Sequence, residues 1–329
     1  MPTLRIGTFN LENLDDRPGE EPSLDKRIAV LRPQLMRVNA DILCLQEVNG
    51  QERPGQPRSL SALESLIQTT QYENYNVIST LTRRRQVYDE RNLVVLVRSD
   101  LQITEAQSIK HRYAPKPRYR TVTATRSERR ARYISWERPL LYARIDLGGN
   151  RIVHLINVHM KSKLPTDIPG QTIEWYRWRS VAGWAEGYFV SSMKRVGQAL
   201  EARILIDRIF DEQGEDALIA ICGDFNADID SVPVNAIRGP VEETGNPDLI
   251  GRIMAPCELT VPESSRYSLL HLGKGKMLDH ILVSRSMLAY YRGAEIHNEI
   301  LPDESGAFRT DVKFPESDHA PVVAEFLLP

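Results

Sequence analysis

Cysteine is scarce in this chain of 329 residues, and its placement argues against two classes of protein. The three cysteines are Cys44, Cys222 and Cys257; no two form a C-x-x-C pair, and the first two lie inside apolar runs. That pattern argues against a disulfide framework and against a cysteine-ligated zinc site. We therefore expect buried, reduced thiols and a cytoplasmic protein, since the first residues, MPTLRIGTFN, also lack a signal-peptide pattern.

Long apolar runs and a strong net charge are also missing. No apolar stretch approaches the ~18 residues of a membrane-spanning helix, which predicts that there is no transmembrane segment. The net charge is −2 and the pI is about 6.4, so no overall field requires a polyanionic partner. With 41% hydrophobic residues and no Gly/Ser-rich linker, residues 1–329 are expected to form a single domain without an obligate protein partner.

The charge is nevertheless uneven along the chain. Residues 110–132 carry nine Lys or Arg residues against one acid, Glu128, with Tyr113 and Tyr119 between them. This run is either a solvated loop or an electrostatic guide for nucleic acid or another phosphodiester substrate, with rings that stack on bases. Under the second hypothesis, the substrate-binding candidates are Arg118, Arg120, Arg129 and Arg130.

Short apolar runs typical of strands alternate with helical patterns. The pattern predicts a hairpin over 139–160 and helices over 24–39, 59–69 and 192–212, with Pro33 as a possible break in the first. This arrangement favours an α/β (α+β) fold with a mixed sheet, or two sheets, covered by helices. Segment 163–191, which holds three of the four Trp residues, is either a small separate core or an insertion that contacts substrate.

Polar side chains gather at the ends of six strand-like segments. One such residue alone is usually a turn residue or a helix cap, but six segments together predict a shared site at the edge of a sheet. The residues are Asn10, Glu47, His159, Asp224 with Asn226, Asp279, and Asp318 with His319.

The chemistry of this set points to a hard metal ion and a phosphate. Acids outnumber histidines and no cysteine takes part, which suits Mg²⁺ or Mn²⁺ better than zinc. Histidines held by acids can donate hydrogen bonds to a phosphate. The sequence therefore predicts metal-assisted attack of water on a phosphorus ester.

The ordered motifs TFNLEN, LQEV, NVHMKS, GDFNAD, LDHILVS and SDHAPVVAEF resemble those of the endonuclease/exonuclease/phosphatase superfamily, the fold of deoxyribonuclease I. They extend over nearly the whole chain. The resemblance implies a four-layered sandwich, in which two packed mixed β-sheets are flanked by helices and the site lies at one rim.

The resemblance also implies roles for single residues. Glu47 corresponds to the main metal ligand, with Asn10 beside it, and Asp318 to a second acid near metal and water. Asp224 corresponds to the acid that positions or deprotonates the attacking water. Asn226 corresponds to the amide that holds the phosphate and the Asp224 carboxylate.

The histidines have implied roles as well. His319 corresponds to the imidazole that stabilises the pentacovalent oxyanion or assists proton transfer, with Asp279 as its orienting partner. His159 corresponds to a second histidine facing the phosphate. Its acid partner would be Glu90, in YDERNLVVLVRS, although Glu90 is equally well explained as a surface residue.

Three functional hypotheses follow. The favoured one is a Mg²⁺- or Mn²⁺-dependent phosphodiesterase acting as a nuclease. The second is the same chemistry on a small substrate, as a phosphatase or as a phosphodiesterase for a nucleotide or phospholipid head group, because one fold hosts all of these. The third is an inactive binding scaffold, which the presence of every expected acid and histidine disfavours.

Overall fold

Two six-stranded sheets form the centre of the protein, in a computed structural model that describes residues 3–126, 129–174, 177–310 and 313–328. The strands of the first sheet, named in chain order, are β1 (Thr3–Leu14), β2 (Ile42–Val48), β3 (Asn76–Ser79), β4 (Asn92–Val97), β17 (Tyr291–Ile296) and β18 (Val322–Leu327). Their order across the sheet is β17-β18-β1-β2-β4-β3.

The second sheet has the order β13-β16-β12-β9-β8-β5. Its strands are β5 (Gln102–Ile109), β8 (Leu140–Asp146), β9 (Ile152–His159), β12 (Leu218–Asp224), β13 (Met254–Pro256) and β16 (Asp279–Ser284). The predicted hairpin over 139–160 is confirmed, because β8 and β9 pair antiparallel.

Each sheet centres on one parallel pair, β1 with β2 and β9 with β12, and the other strands pair antiparallel. The inner faces of the two sheets share one apolar core. Cys44 from β2 meets Cys222 from β12 there, with the sulfur atoms 3.2 Å apart. Both thiols are free and buried, and Cys257 is also a buried free thiol, which confirms the expectation that the cysteines are buried.

Helices cover the outer faces of both sheets and complete four layers, which confirms the predicted sandwich. The helices are α1 (Leu24–Val38), α2 (Ser61–Ile67), α3 (Val181–Gln213), α4 (Val232–Arg238), α5 (Val241–Thr244), α6 (Arg285–Leu288) and α7 (Glu304–Thr310). Apolar side chains of α1 and α2 pack on the first sheet, and those of α3 and α4 pack on the second. Within the described residues, no helix is long and apolar enough to cross a membrane.

Two helices differ from the sequence-based expectation. Pro33 does not divide α1. Proline has no N–H to donate to the carbonyl four residues earlier, which is that of Ala29, and Ala29 lies on the exposed side of the helix where water can bond to it. The helix predicted over 192–212 begins eleven residues earlier, at Val181, after the cap residue Ser180 accepts a hydrogen bond from the Gly183 amide at 3.0 Å.

The basic run and the Trp-rich segment pack together beside the second sheet. Three small two-stranded sheets occur: β6 (Arg118–Arg120) with β7 (Ala131–Tyr133), β10 (Thr172–Glu174) with β11 (Arg177–Trp178), and β14 (Leu269–His271) with β15 (Lys274–Lys276). A small core of Ala124, Ile168 and Val190 joins the first two of these to α3, with Trp178 packed against it. The described part of 163–191 thus contributes to a small core, as one of the two hypotheses expected, and contact with substrate stays a prediction.

Candidate active site

Polar residues from both sheets meet at one rim of the sandwich. The parallel strands β2, β9 and β12 end there, and the antiparallel strands β16 and β18 begin there. A cleft of about 900 Å³ opens at this rim. Seven of the predicted site residues line it: Asn10, Glu47, His159, Asp224, Asn226, Asp318 and His319.

Asp224, at the end of β12, is the centre of the hydrogen-bond network. Its Oδ1 accepts from the Asn226 amide at 2.8 Å, and its Oδ2 accepts from the side-chain amides of Asn226 at 2.8 Å and Asn10 at 3.2 Å. Burial, with the charge of Asp279 as a lesser cause, raises the pKa of Asp224 to about 7 against the opposing effect of His319. The carboxylate is thus fixed in orientation and able to take up a proton near neutral pH.

The residue before Asp224 explains why the motif carries glycine. Gly223 has φ of +139°, and a Cβ there would lie 2.0 Å from the Val158 carbonyl oxygen on the neighbouring strand. No side chain fits this close approach, which brings the end of β12 against the end of β9. Asn226 then takes a left-handed conformation, with φ of +49°, that turns its side chain back to Asp224.

Glu47 reaches the rim through an irregularity in the first sheet. The ladder between β1 and β2 shifts register between the Asn10 and Leu14 pairings, and Glu47 has φ of +58°. Such backbone conformations are costly for residues other than glycine and concentrate at functional sites. The Glu47 carboxylate accepts a hydrogen bond from the Asn13 amide at 3.1 Å and lies 3.4 Å from His159 Nε2.

His319 is held by Asp279, as the resemblance implied. Its Nδ1 lies 2.6 Å from Asp279 Oδ2, and both side chains are buried. Ser268 fixes the start of β16 by accepting hydrogen bonds from the Leu278 and Asp279 amides. Burial opposes charging of the imidazole, but the carboxylates around it, Asp279 first, raise its pKa well above the ordinary value. Its Nε2 lies 4.0 Å from Asp224 Oδ2.

His159 is a neutral imidazole between two acids. Its Nε2 lies 3.3 Å from Asp224 Oδ2 and 3.4 Å from Glu47 Oε1. Burial, followed by the positive charges of Arg138 and Arg91, lowers its pKa well below the ordinary value. Burial, the larger effect, and the neighbouring cations together keep this imidazole uncharged.

Glu90 does not act as the acid behind His159 in this structure. It is exposed and pairs with Arg17 at 3.0 Å, whereas His159 Nδ1 has no hydrogen-bond partner among the described residues. The surface explanation of Glu90 is the one that fits. The short Y-x-E-R motif could not distinguish the two, because the loop before β4 directs this side chain away from the rim.

Acids on one side of the cleft, Glu12, Glu47 and Asp318, repel one another. Burial and the charge of Asp318 raise the pKa of Glu12 to about 8, and burial raises that of Asp318 to about 6, with Glu47 adding to the effect. Arg27 is a buried cation close to these acids, and its guanidinium donates hydrogen bonds to the carbonyls of Leu11 and Glu12. Glu12, which sequence reasoning missed, was signalled by TFNLEN; its carboxylate accepts from the Asp318 amide at 3.0 Å.

This side of the cleft fits a hard divalent cation. Glu47, Asp318 and Asn10 offer oxygen donors there, and the excess of buried negative charge favours a dication. Asp224, Asp279 and His319 also lie close enough together to hold a metal. In that group, however, the 2.6 Å hydrogen bond occupies His319 Nδ1 and one Asp279 oxygen, so fewer of its atoms are free to bind an ion.

Helix α3 holds the loop that follows His159. The side-chain oxygen of Gln198 accepts from the Lys161 amide at 2.8 Å, and Arg195 donates to the carbonyls of Lys161 and Ser162 at 2.9 Å each. Lys161, which lines the cleft, was signalled by NVHMKS but not singled out from sequence. Long-range support of this kind has no local sequence signature.

The four candidate arginines of the basic run lie outside the described lining of the cleft. Arg118 and Arg120 are exposed on β6, and Arg129 and Arg130 are exposed before β7. The two tyrosines of the run are engaged within the protein, which differs from the expectation that their rings are free to stack on bases. Tyr119 donates to Glu186 at 2.9 Å, and the Tyr113 ring faces the guanidinium groups of Arg112 and Arg208.

Comparisons with known proteins agree with this geometry. A profile of the Endonuclease/Exonuclease/phosphatase family matches residues 7–319. No curated protein matches the sequence. Among solved structures, a humanized TDP2 from D. rerio is 17% identical with a TM-score of 0.57, and the match covers 99% of both chains.

Two further solved structures are similar. An endonuclease/exonuclease/phosphatase from Bacteroides vulgatus is 15% identical with a TM-score of 0.55, over 100% of both chains. The 3′ phosphatase NExo from Neisseria, bound to a product DNA hairpin, is 17% identical with a TM-score of 0.55, over 99% of this chain and 100% of that one. At these identities the likeness shows a shared fold.

Proposed function

The chain belongs to the endonuclease/exonuclease/phosphatase family, and from this premise we propose that it is a Mg²⁺- or Mn²⁺-dependent phosphodiesterase acting on nucleic acid. The observation that carries the proposal is the convergence of Asn10, Glu47, Asp224 and His319 in one cleft, although they come from four separate strands or strand ends. Chemistry on phosphate esters needs an oriented water, a proton acceptor and positive charge, and these residue types supply them.

Asp224 is the group that orients and deprotonates the attacking water. Asn10 and Asn226 hold its carboxylate in place, and a pKa of about 7 allows that carboxylate to accept the proton. His319 donates from Nε2 to a phosphoryl oxygen, because Asp279 holds the proton on Nδ1 and favours the charged ring. Neutral His159 places its Nε2–H between the Glu47 and Asp224 carboxylates and keeps these two groups apart.

In this proposal Glu47, Asp318 and Asn10 would hold a divalent cation. Its chemistry there would be to polarise a phosphoryl oxygen and to neutralise charge on the leaving oxygen. The hard oxygen donors favour Mg²⁺ or Mn²⁺ over zinc.

The basic lining of the cleft supports a polyanionic substrate. Arg91, Lys161, Lys163 and Lys276 surround the acidic centre, and the cleft is open rather than a closed pocket for one small phosphate. Such residues contact the phosphate backbone without reading sequence. Exposed arginines of the basic run then guide the strand from outside the cleft.

A substrate panel tests the proposal. Wild-type protein, Asp224→Asn and the exposed control Asp216→Asn are assayed with Mn²⁺ on single-stranded DNA, RNA, bis-p-nitrophenyl phosphate and p-nitrophenyl phosphate. We expect wild type and the control to cleave diesters, and Asp224→Asn to lose roughly 10²–10³-fold in kcat. Turnover of the monoester alone would contradict a phosphodiesterase and favour the phosphatase alternative.

A further inference from the structure

Exposed aromatic side chains near the start of α3 form a surface that the proposed chemistry does not use. Trp184 and Tyr188 are 44% and 41% exposed, and their rings stack with centroids 5.7 Å apart and planes at 27°. Val181 lies on the same helix face, one turn earlier, and is 80% exposed. We call Val181, Trp184 and Tyr188 the aromatic ledge. Grouped exposed side chains of this kind mark a binding surface.

One face of α3 runs from the active-site cleft to the aromatic ledge. Four residues on this face, spaced three or four apart, contact the cleft wall formed by residues 161–166. In order these contacts are Gln198 with the Lys161 amide (2.8 Å), Arg195 with the Lys161 carbonyl (2.9 Å), Ser191 with the Leu164 carbonyl (2.6 Å) and the Gly187 carbonyl with the Thr166 amide (3.0 Å).

The ledge begins where the cleft wall ends. Trp184 is one helical turn beyond Gly187, and a Cβ at Gly187 would lie 2.7 Å from the ring of Trp178, which lines the cleft. Fourteen residues of helix separate Gln198 from Trp184, or about 21 Å at ~1.5 Å per residue. At the ~3.4 Å spacing of one B-form strand, that distance corresponds to about six nucleotides.

An exposed cation lies just before the ledge in the chain. Arg179 directly precedes the cap of α3, is exposed, and makes no ion pair with any described residue. Glu186, the acid nearest the ledge along the helix, is turned inward and accepts from the Val122 and Thr123 amides. Exposed rings next to an unneutralised guanidinium suit bases joined by phosphates better than an acidic or purely apolar partner.

We propose that the aromatic ledge stacks on bases of a single-stranded nucleic acid whose scissile phosphate lies in the cleft. This inference rests on the proposed function and adds a second contact region to it. Stacking on an aromatic ring is tolerant of base identity, so the ledge would strengthen binding of long strands without selecting a sequence. A dinucleotide bound at the cleft is too short to reach it.

The test compares rings with apolar side chains that cannot stack. The variants are W184L/Y188L, W184F/Y188F and the control L200A, which removes an exposed side chain elsewhere on α3. KM is measured for a dinucleotide and for a single-stranded oligonucleotide of about 12 nucleotides. Binding of the same oligonucleotide with a non-hydrolysable backbone is followed by fluorescence anisotropy, and binding to anionic phospholipid vesicles by sedimentation.

In the leucine variant we expect KM and Kd for the long strand to rise roughly 5- to 100-fold. The ratio of KM for the long strand to KM for the dinucleotide should rise by the same factor. The phenylalanine variant and L200A should stay within about twofold of wild type. Equal affinity of the leucine variant and wild type for the long strand would overturn the inference, as would vesicle binding that survives in the leucine variant. Failure of wild-type protein to cleave any diester would instead refute the proposed function.

Discussion

Replacing Asp279 with asparagine keeps the size of the side chain but removes the negative charge beside His319. In the structure Asp279 Oδ2 lies 2.6 Å from His319 Nδ1, both groups are buried, and Asp279 Oδ1 has no hydrogen-bond partner among the described residues. The carboxylate is therefore committed to this one imidazole. Hydrogen bonds to charged groups contribute ~1.5–3 kcal/mol, which corresponds to roughly a 10- to 150-fold loss of kcat.

The assay is hydrolysis of bis-p-nitrophenyl phosphate at saturating Mn²⁺. We expect Asp279→Asn to lower kcat and kcat/KM by similar factors, because the interaction strengthens when charge develops on the phosphoryl group. A double-mutant cycle tests whether the two residues act as a unit. In a His319→Ala background, Asp279→Asn should cause little further loss of kcat. Asp216→Asn, an exposed aspartate before β12, is the control.

Normal kcat in folded Asp279→Asn protein would refute the role given to the Asp279–His319 pair. Folding is checked by the urea midpoint of each variant, because a buried charge change also affects stability. A lower kcat that simply follows the fraction of folded protein would likewise count against a catalytic effect.

Three further predictions concern other parts of the molecule. Glu47→Gln should raise the Mn²⁺ concentration for half-maximal activity at least tenfold, because a neutral amide replaces the main anionic ligand. Arg130→Ala should weaken binding of a long oligonucleotide and make its dependence on salt less steep, with bis-p-nitrophenyl phosphate turnover unchanged. As the pH drops from 6.5 towards 4, wild-type protein should lose up to about 3 kcal/mol of stability relative to His154→Gln, because burial lowers the pKa of His154 to about 4.

Each of these has a contradicting outcome. An unchanged Mn²⁺ requirement in Glu47→Gln would exclude Glu47 as the main ligand. An identical salt dependence in Arg130→Ala would make that arginine an ordinary surface residue. The pKa of His154 is lower in the folded protein than in the unfolded chain, so the unfolded chain binds the proton first and acid favours unfolding. Equal pH dependence of stability in wild type and His154→Gln would contradict this prediction.

Sequence patterns predicted which residues lie together because sheet geometry brings strand ends to one edge. Glu47, His159 and Asp224 follow or end strands of the two parallel pairs, whose carboxyl ends share an edge. Asp279 and His319 stand at the start of antiparallel strands, which begin at the edge where their neighbours end. A motif at a strand end therefore predicts where its side chains lie in the fold, even when the loop conformations are unknown.

Residues on loops were harder to predict, because their side chains follow contacts distant in sequence. Glu90 pairs with Arg17, and Tyr119 bonds to Glu186 on a helix more than sixty residues away. The aromatic ledge depends on where α3 begins, and the periodicity of 192–212 gave no sign of the extra turns. The cap at Ser180 and the close packing at Gly187 become visible only when the chain is folded.

The acidic side of the cleft is proposed to hold a divalent cation needed for phosphodiester cleavage. Titration of chelator-treated protein with Mn²⁺, read as bis-p-nitrophenyl phosphate hydrolysis, tests it most directly. We expect no hydrolysis without cation, saturable recovery in wild type and almost none in Asp224→Asn. Hydrolysis that persists in excess chelator, or a wild-type protein that Mn²⁺ and Mg²⁺ both leave inactive on every phosphodiester tried, would contradict it.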